Sequence, residues 1–223
     1  SLTPVPTSLP PTLSPFTTPL AEMPVPSGIF TETADLGWVL YKNPIEGFAL
    51  ALPSSWDQVD FGTEEISNML DKTGEKNPKL KEFLQNQARS ELTGMFKFFA
   101  LDFEQATRGY AANVAVASIL VPYNRYTFDE YVNSNIKLTE ALTSTVKPVT
   151  HTRIKIDNFD AEEIHYESTS VLKSGNVSIT QVLLLSKRNF FVINLSALSD
   201  QMPSYTETFD KIIQSFKLSG PNK

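Results

Sequence analysis

Two histidines and a scatter of carboxylates are the side chains with which this chain could do acid–base or metal chemistry. His151 and His165 lie in a segment that reads as two strands around Asp157-Asn158, and His165 is flanked by Glu163 and Glu167. Imidazoles beside carboxylates can ligate a metal or pass a proton. Pairing about the Asp157-Asn158 turn sends both histidines to its far end, near each other, on the polar side opposite Ile154 and Ile164. No H-x-x-x-H or H-E-x-x-H spacing accompanies them, so the plainer reading is a solvated sheet face, and no metal is assigned. Asp57, Asp60, Glu64 and Glu65 could offer oxygens to Ca²⁺, but acids ahead of a helix more simply favour its positive end.

Nucleophilic and phosphate chemistry find no support. No serine stands in a G-x-S-x-G turn, and the nine glycines are scattered rather than clustered into a cradle. The absence of cysteine excludes a thiol nucleophile, a disulfide framework, iron–sulfur clusters and Cys-ligated zinc. No catalytic residue and no cofactor is therefore assigned, and the chain is read as a non-enzyme. The candidate binding stretch is the loop Pro122-Tyr123-Asn124-Arg125-Tyr126. Tyr123, Arg125 and Tyr126 are of the types that anchor recognition surfaces. The alternative is that the rings pack over the sheet end while Arg125 pairs with a carboxylate.

Strands and helices must hold these groups in place. Trp38–Tyr41 and Phe48–Leu52 read as strands around the turn 43–47, and Pro53 stops the second. Residues 61–92 carry two helical patterns, one capped by Thr63 and one opened by Asn77-Pro78. Met95–Phe103 is apolar on both faces, with Met95, Phe99, Leu101 and Phe103 on one and Phe96, Phe98 and Ala100 on the other. It pairs with 111–121 across Arg108-Gly109. Thr127-Phe128-Asp129-Glu130 is a capping box opening a helix. Ile154 and Ile156 look inward, and Ile164 and Tyr166 continue that face. Residues 177–185 and 190–198 form a further hairpin, and a last helix starting at Pro203 turns Tyr205, Phe209, Ile212, Ile213 and Phe216 to one side. Hairpins in succession with helices packed on them give an α+β domain with a largely antiparallel sheet.

Composition divides the 223 residues unevenly. Eight of the 15 prolines fall within the first 26 residues. Residues 1–36 carry three acids and no base, while the remainder holds 19 basic and 22 acidic residues. We read 1–36 as a disordered Pro/Ser/Thr-rich tail or tether, close to polyproline II, and 37–223 as a single domain with a helical insert at 61–92. A nearly balanced body lacks the basic surface that nucleic-acid binding needs. No apolar stretch reaches the ~18 residues of a membrane span. The chain begins without an initiator Met or a signal peptide and reads as a processed form.

One family resemblance follows from the order of five short motifs. They are Gly47-Phe48-Ala49-Leu50-Ala51-Leu52-Pro53 followed by Trp56; Asn113-Val114-Ala115-Val116; Thr127-Phe128-Asp129-Glu130-Tyr131; Ile154 to Ala161; and Ile212-Ile213-Gln214-Ser215-Phe216. In this order the body resembles PsbP-like domains of the bacterial lipoprotein kind. The resemblance implies an α/β/α sandwich and carries no catalytic residues over; the insert 61–92 departs from the usual pattern. It also implies an extracytoplasmic bacterial location, in the cell envelope or secreted. The membrane would be reached only through an N-terminal anchor outside these residues, a lipidated cysteine just before Ser1. The expected role is a non-catalytic domain that binds a protein or envelope component. The alternatives are a small-ligand-binding protein with a pocket between sheet and insert, and a hydrolytic enzyme built from dispersed Asp, Glu and His.

Overall fold

The computed structural model describes residues 30–33, 36–59, 96–121, 126–142, 148–169, 175–186 and 189–218, with 78, 81, 82, 85 and 146 besides. Of the insert 61–92, only Pro78, Lys81, Glu82 and Gln85 are among them, all helical; the Thr63-capped pattern lies outside the described residues.

Among the described residues, eleven strands form two antiparallel sheets. The smaller has the order β1 (Phe30–Thr33), β2 (Trp38–Asn43), β3 (Phe48–Pro53) and β11 (Lys217–Leu218). The larger runs β4 (Asp57–Gln58), β5 (Phe96–Leu101), β6 (Asn113–Leu120), β10 (Asn189–Leu198), β9 (Asn176–Leu185), β8 (Phe159–Thr169) and β7 (Thr150–Ile156). Helices α1 (Phe128–Leu142) and α2 (Met202–Ser215) complete the described elements. The early hairpin thus belongs to a sheet of its own, which the sequence pattern did not separate from the main one. Strand β1 pairs Phe30 with Lys42 and Thr33 with Val39. The body's first strand therefore falls within the segment 1–36 read as tail.

The central strands β5, β6 and β10 of the large sheet are buried on both faces, which is why they are largely apolar rather than alternating, while the edge strand β7 is polar and exposed. One face offers Phe191, Ile193, Leu195 and Ala197 of β10, with Val182, Leu184, Val114, Val116 and Ala161 from its neighbours. The small sheet and α2 cover it together, through Phe48, Leu50, Leu52, Phe209, Ile212 and Phe216. The other face offers Phe190, Val192, Leu183 and Ile164, over which α1 lays Phe128, Tyr131, Val132 and Ile136. The layers are those of an α/β/α sandwich.

Local chemistry sets the elements. Thr127 and Glu130 form the capping box at α1: Thr127 Oγ1 accepts from the Glu130 N–H at 3.3 Å, and Glu130 Oε2 accepts from the Thr127 N–H at 2.7 Å. Proline sits in the first turn of α2, where its missing N–H costs nothing. At the β5–β6 connection Arg108 and Gly109 both take positive φ, 53° and 79°, and close the Thr107–Tyr110 bridge.

Two side-chain assignments are corrected by register. A bulge between Phe96 and Phe98 places Phe96 opposite Ala117 but Phe98 opposite Val116. Phe96 therefore shares the face of Phe99 and Leu101, not that of Phe98. One extra residue in a strand flips everything beyond it to the other side. In the β7–β8 hairpin Ile156 faces Phe159 and Ile154 faces Ala161. Partners across this turn have opposite parity, so Ile154 and Ile156 lie on the α2 side while Ile164 and Tyr166 lie on the α1 side.

Phe191 is fully buried and meets Phe48 and Phe216 at 6.1 and 6.0 Å. Phe191→Ala is expected to cost ~3–5 kcal/mol in urea unfolding, whereas Leu36→Ala, at a fully exposed site, stays within ~0.5 kcal/mol. A Phe191→Ala loss no larger than that of Leu36→Ala would show that the two sheets do not share one core.

Candidate functional site

Of the loop singled out from sequence, Tyr123 and Arg125 lie outside the described residues. Tyr126 stands at the entrance to α1, 51% exposed. Its ring meets Tyr131 edge-on at 5.4 Å, and Tyr131 stacks on Phe190 of the sheet at 4.8 Å. Tyr126 thus packs against the start of α1, with Tyr131 between it and the sheet, and half of it stays open to solvent.

The two histidines do not come together. Thr150 faces His165 and His151 faces Ile164, so His151 is on the α1 side and His165 on the α2 side. A sheet separates them, and a metal site using both is ruled out by the pleat itself. Each histidine instead has its own carboxylate. His151 Nδ1 lies 2.6 Å from Glu162 Oε1. His165 Nε2 lies 3.5 Å from Glu163 Oε2, and its Nδ1 is 3.1 Å from Thr180 Oγ1.

A charged cluster is built around Glu162, whose side chain is only 5% exposed. Its second oxygen accepts from Arg153 Nε at 2.7 Å, and Arg153 Nη2 donates to Asp129 in the first turn of α1 at 2.6 Å. The guanidinium also sits 4.8 Å over the Phe128 ring. One arginine thus joins β7, β8 and the start of α1, and its positive form is favoured chiefly by the bond to Asp129. The arrangement neutralises a buried carboxylate and fixes a helix end; Glu162 is its buried centre, while His151, Arg153 and Asp129 around it are half-exposed or more. Sequence reasoning missed this cluster. A signal was available, because the two-residue turn makes Arg153 and Glu162 direct cross-strand partners.

On the opposite face the His165 pKa is raised, first by the hydrogen bond to Glu163 against an opposing burial effect, then by the charges of Glu163 and Asp210. Elsewhere Tyr205 donates to buried Asp102 at 2.9 Å, and burial with that bond pushes the phenol far above its usual range. Burial, then the charges of Glu104 and Asp102, raise the Asp57 carboxyl. Of the acidic group proposed for Ca²⁺, only Asp57 is among the described residues. Behind α1, Tyr110, Ser196 and Asn113 form a closed buried network, with Tyr110 OH and Ser196 Oγ 2.7 Å apart.

No protein-family model matches this sequence, and no curated protein does. Solved structures do match in fold. Cyanobacterial PsbP (CyanoP) from Synechocystis sp. PCC 6803 aligns with a TM-score of 0.52 at 11% identity, covering 83% of this chain and 95% of that one. LpqN, involved in cell envelope biogenesis of Mycobacterium tuberculosis, aligns with a TM-score of 0.52 at 8% identity, covering 78% and 83%. The fold is therefore PsbP-like, as the five sequence motifs implied, and such identities speak to fold alone.

Two outcomes test the cluster geometry. Arg153→Met leaves Glu162 buried with His151 alone and should cost ~1–3 kcal/mol in urea unfolding. Combining it with Glu162→Gln should cost less than the sum by at least ~0.5 kcal/mol; strict additivity would show that the two groups act independently. The raised pKa of His165 stabilises the fold fully below the ordinary value and progressively less as pH rises through the raised one. The stability gap between wild type and His165→Gln should therefore be wider near pH ~5 than near pH ~8, and equal gaps would discard the Glu163 pairing.

Proposed function

We propose that this chain is a non-catalytic, extracytoplasmic bacterial domain, held to a membrane through its Pro-rich N-terminal segment and binding a protein or another envelope component. The observation that carries the reading is the Pro-rich, base-free segment that runs into an edge strand of a PsbP-like body. LpqN, which has this fold, is described as acting in envelope biogenesis. The buried carboxylates support a structural use of the polar groups. Asp102, Glu162 and Glu167 each hold hydrogen bonds inside the domain: Asp102 to Tyr205 and the Gln105 N–H, Glu162 to His151 and Arg153, and Glu167 to Asn176.

A second reading, a small-ligand site, has one observation in its favour. Asn135 Oδ1 on α1 and Gln181 Oε1 on β9 are buried without a hydrogen-bond partner. Buried acceptors of this kind call for a donor, whether water or ligand.

The tether is tested on the native protein. It should sediment with membranes, enter the detergent phase of a Triton X-114 separation, and show an acylated N-terminal residue by mass spectrometry. Proteolysis within 1–29 should then release the body into the aqueous phase. A native protein with an unmodified N-terminus that stays in the cytosolic fraction overturns the reading.

A further inference from the structure

The edges of an antiparallel sheet are where further strands can add. Among the described residues the two sheets end in β1 and β11, and in β4 and β7. The first three run four, two and two residues, whereas β7 runs seven. It reads Thr150-His151-Thr152-Arg153-Ile154-Lys155-Ile156, with four β-branched residues and neither proline nor glycine. Thr150 to Arg153 and Lys155 are exposed. A long, β-prone strand at an open edge is a template for pairing with another copy of itself.

The β7–β8 turn fixes what this edge offers. Ile156 and Phe159 close a two-residue turn, and the closing pair of such a hairpin is hydrogen-bonded. Bonded and unbonded pairs then alternate, so Ile156, Ile154 and Thr152 bond to β8. The N–H and C=O groups of Lys155, Arg153 and His151 are turned outward instead. The same three residues hold all the basic side chains of the strand, in one row on the α1 side. Each is fastened to its own domain. Lys155 Nζ lies 2.7 Å from Asp160 Oδ1, Arg153 bridges Glu162 and Asp129, and His151 meets Glu162. Asp160 and Glu162 stand on β8, one strand behind the edge, so the side chains that an added strand meets first are the bases.

We propose that this row guards β7 against strand addition by a second copy of the chain. When two β7 edges meet antiparallel with their α1 sides together, odd positions pair with odd ones in every register. One register sets Arg153 opposite Arg153 and His151 opposite Lys155. A slip of two residues sets Arg153 opposite Lys155 or His151, so base still meets base. Like charges directly opposite destabilise a ladder. A slip of one residue turns every side chain to the other face and breaks the match of the two sheets. The strand thus pairs with β8, whose carboxylates receive its bases, and is closed to its own copy.

Sedimentation velocity on the full chain tests the guard. Wild type should sediment as a single chain of 24.8 kDa. His151→Thr combined with Lys155→Thr removes two of the three bases and leaves Arg153 with Glu162 and Asp129. This first double variant should associate, to about twice the single-chain mass or more. His151→Thr combined with Lys155→Pro has the same charge but lacks the outward N–H at 155, and it should sediment as a single chain. Circular dichroism verifies that both are folded. A wild type that is already dimeric, a first double variant that stays single, or a second that associates as strongly as the first overturns the guard. Amide hydrogen exchange reads the edge in the wild type without any substitution. The N–H groups of His151, Arg153 and Lys155 should exchange faster than those of Thr152, Ile154 and Ile156, and equal protection overturns the proposal by showing the edge already occupied.

Discussion

The contact on which this structure depends is the meeting of three phenylalanines. Phe48 comes from the small sheet, Phe191 from the centre of the large sheet, and Phe216 from the residue that ends α2. Phe48 stacks on Phe216 at 5.7 Å and both meet Phe191 edge-on. All three are essentially inaccessible to water. The chain turns at Phe216 from helix to extended backbone, and Lys217 and Leu218 then pair with Ala49 and Phe48. The carboxyl-terminal part of the body thus closes the sheet formed by its amino-terminal part, across the face of a third element. Little of this is local in sequence, so the core exists only when the whole domain does.

Once that face is closed, the other follows a different logic. Alpha-helix α1 covers its apolar part and is fastened at its start by Arg153, which bridges Asp129 and the buried Glu162. Beyond it lies a closed polar network of Tyr110, Asn113 and Ser196. Polar groups buried this way contribute more to a single arrangement than to raw stability, since each unmade bond is costly. The histidines take part as neighbours of carboxylates, one on each face. They pair with the charges that the sheet must accommodate, and they do not converge.

Much of the fold was legible. The capping box at Thr127 is a local signal and formed as read, because its four groups lie within one turn. The hairpins around 43–47, 108–109 and 157–158 were visible as turn residues between apolar runs. The inward face of α2 followed from helical spacing, and Tyr205, Phe209, Ile212 and Ile213 are buried. What failed was side-of-sheet assignment. The bulge at Lys97 reversed Phe96, and the parity of the β7–β8 turn separated Ile164 from Ile154 and His165 from His151. With both faces apolar, hydrophobicity gives no vote on which way a strand is turned. The candidate site was legible only in part: Tyr126 was named for its type, while the Glu162 cluster needed Asp129, 33 positions earlier in the chain.

The sequence by itself determined the division into a Pro-rich segment and an apolar body, the antiparallel hairpin character, the helix ends and the ordered motifs of a PsbP-like domain. These rest on φ restriction, turn preferences and periodicity, all of which act over a few residues. Only the tertiary structure decided that there are two sheets, which face each side chain takes, and which charges meet. It also decided that β7 is an edge strand, with His151, Arg153 and Lys155 in one row along it. Those outcomes come from register and from the packing of residues far apart along the chain, and short-range preferences do not encode them.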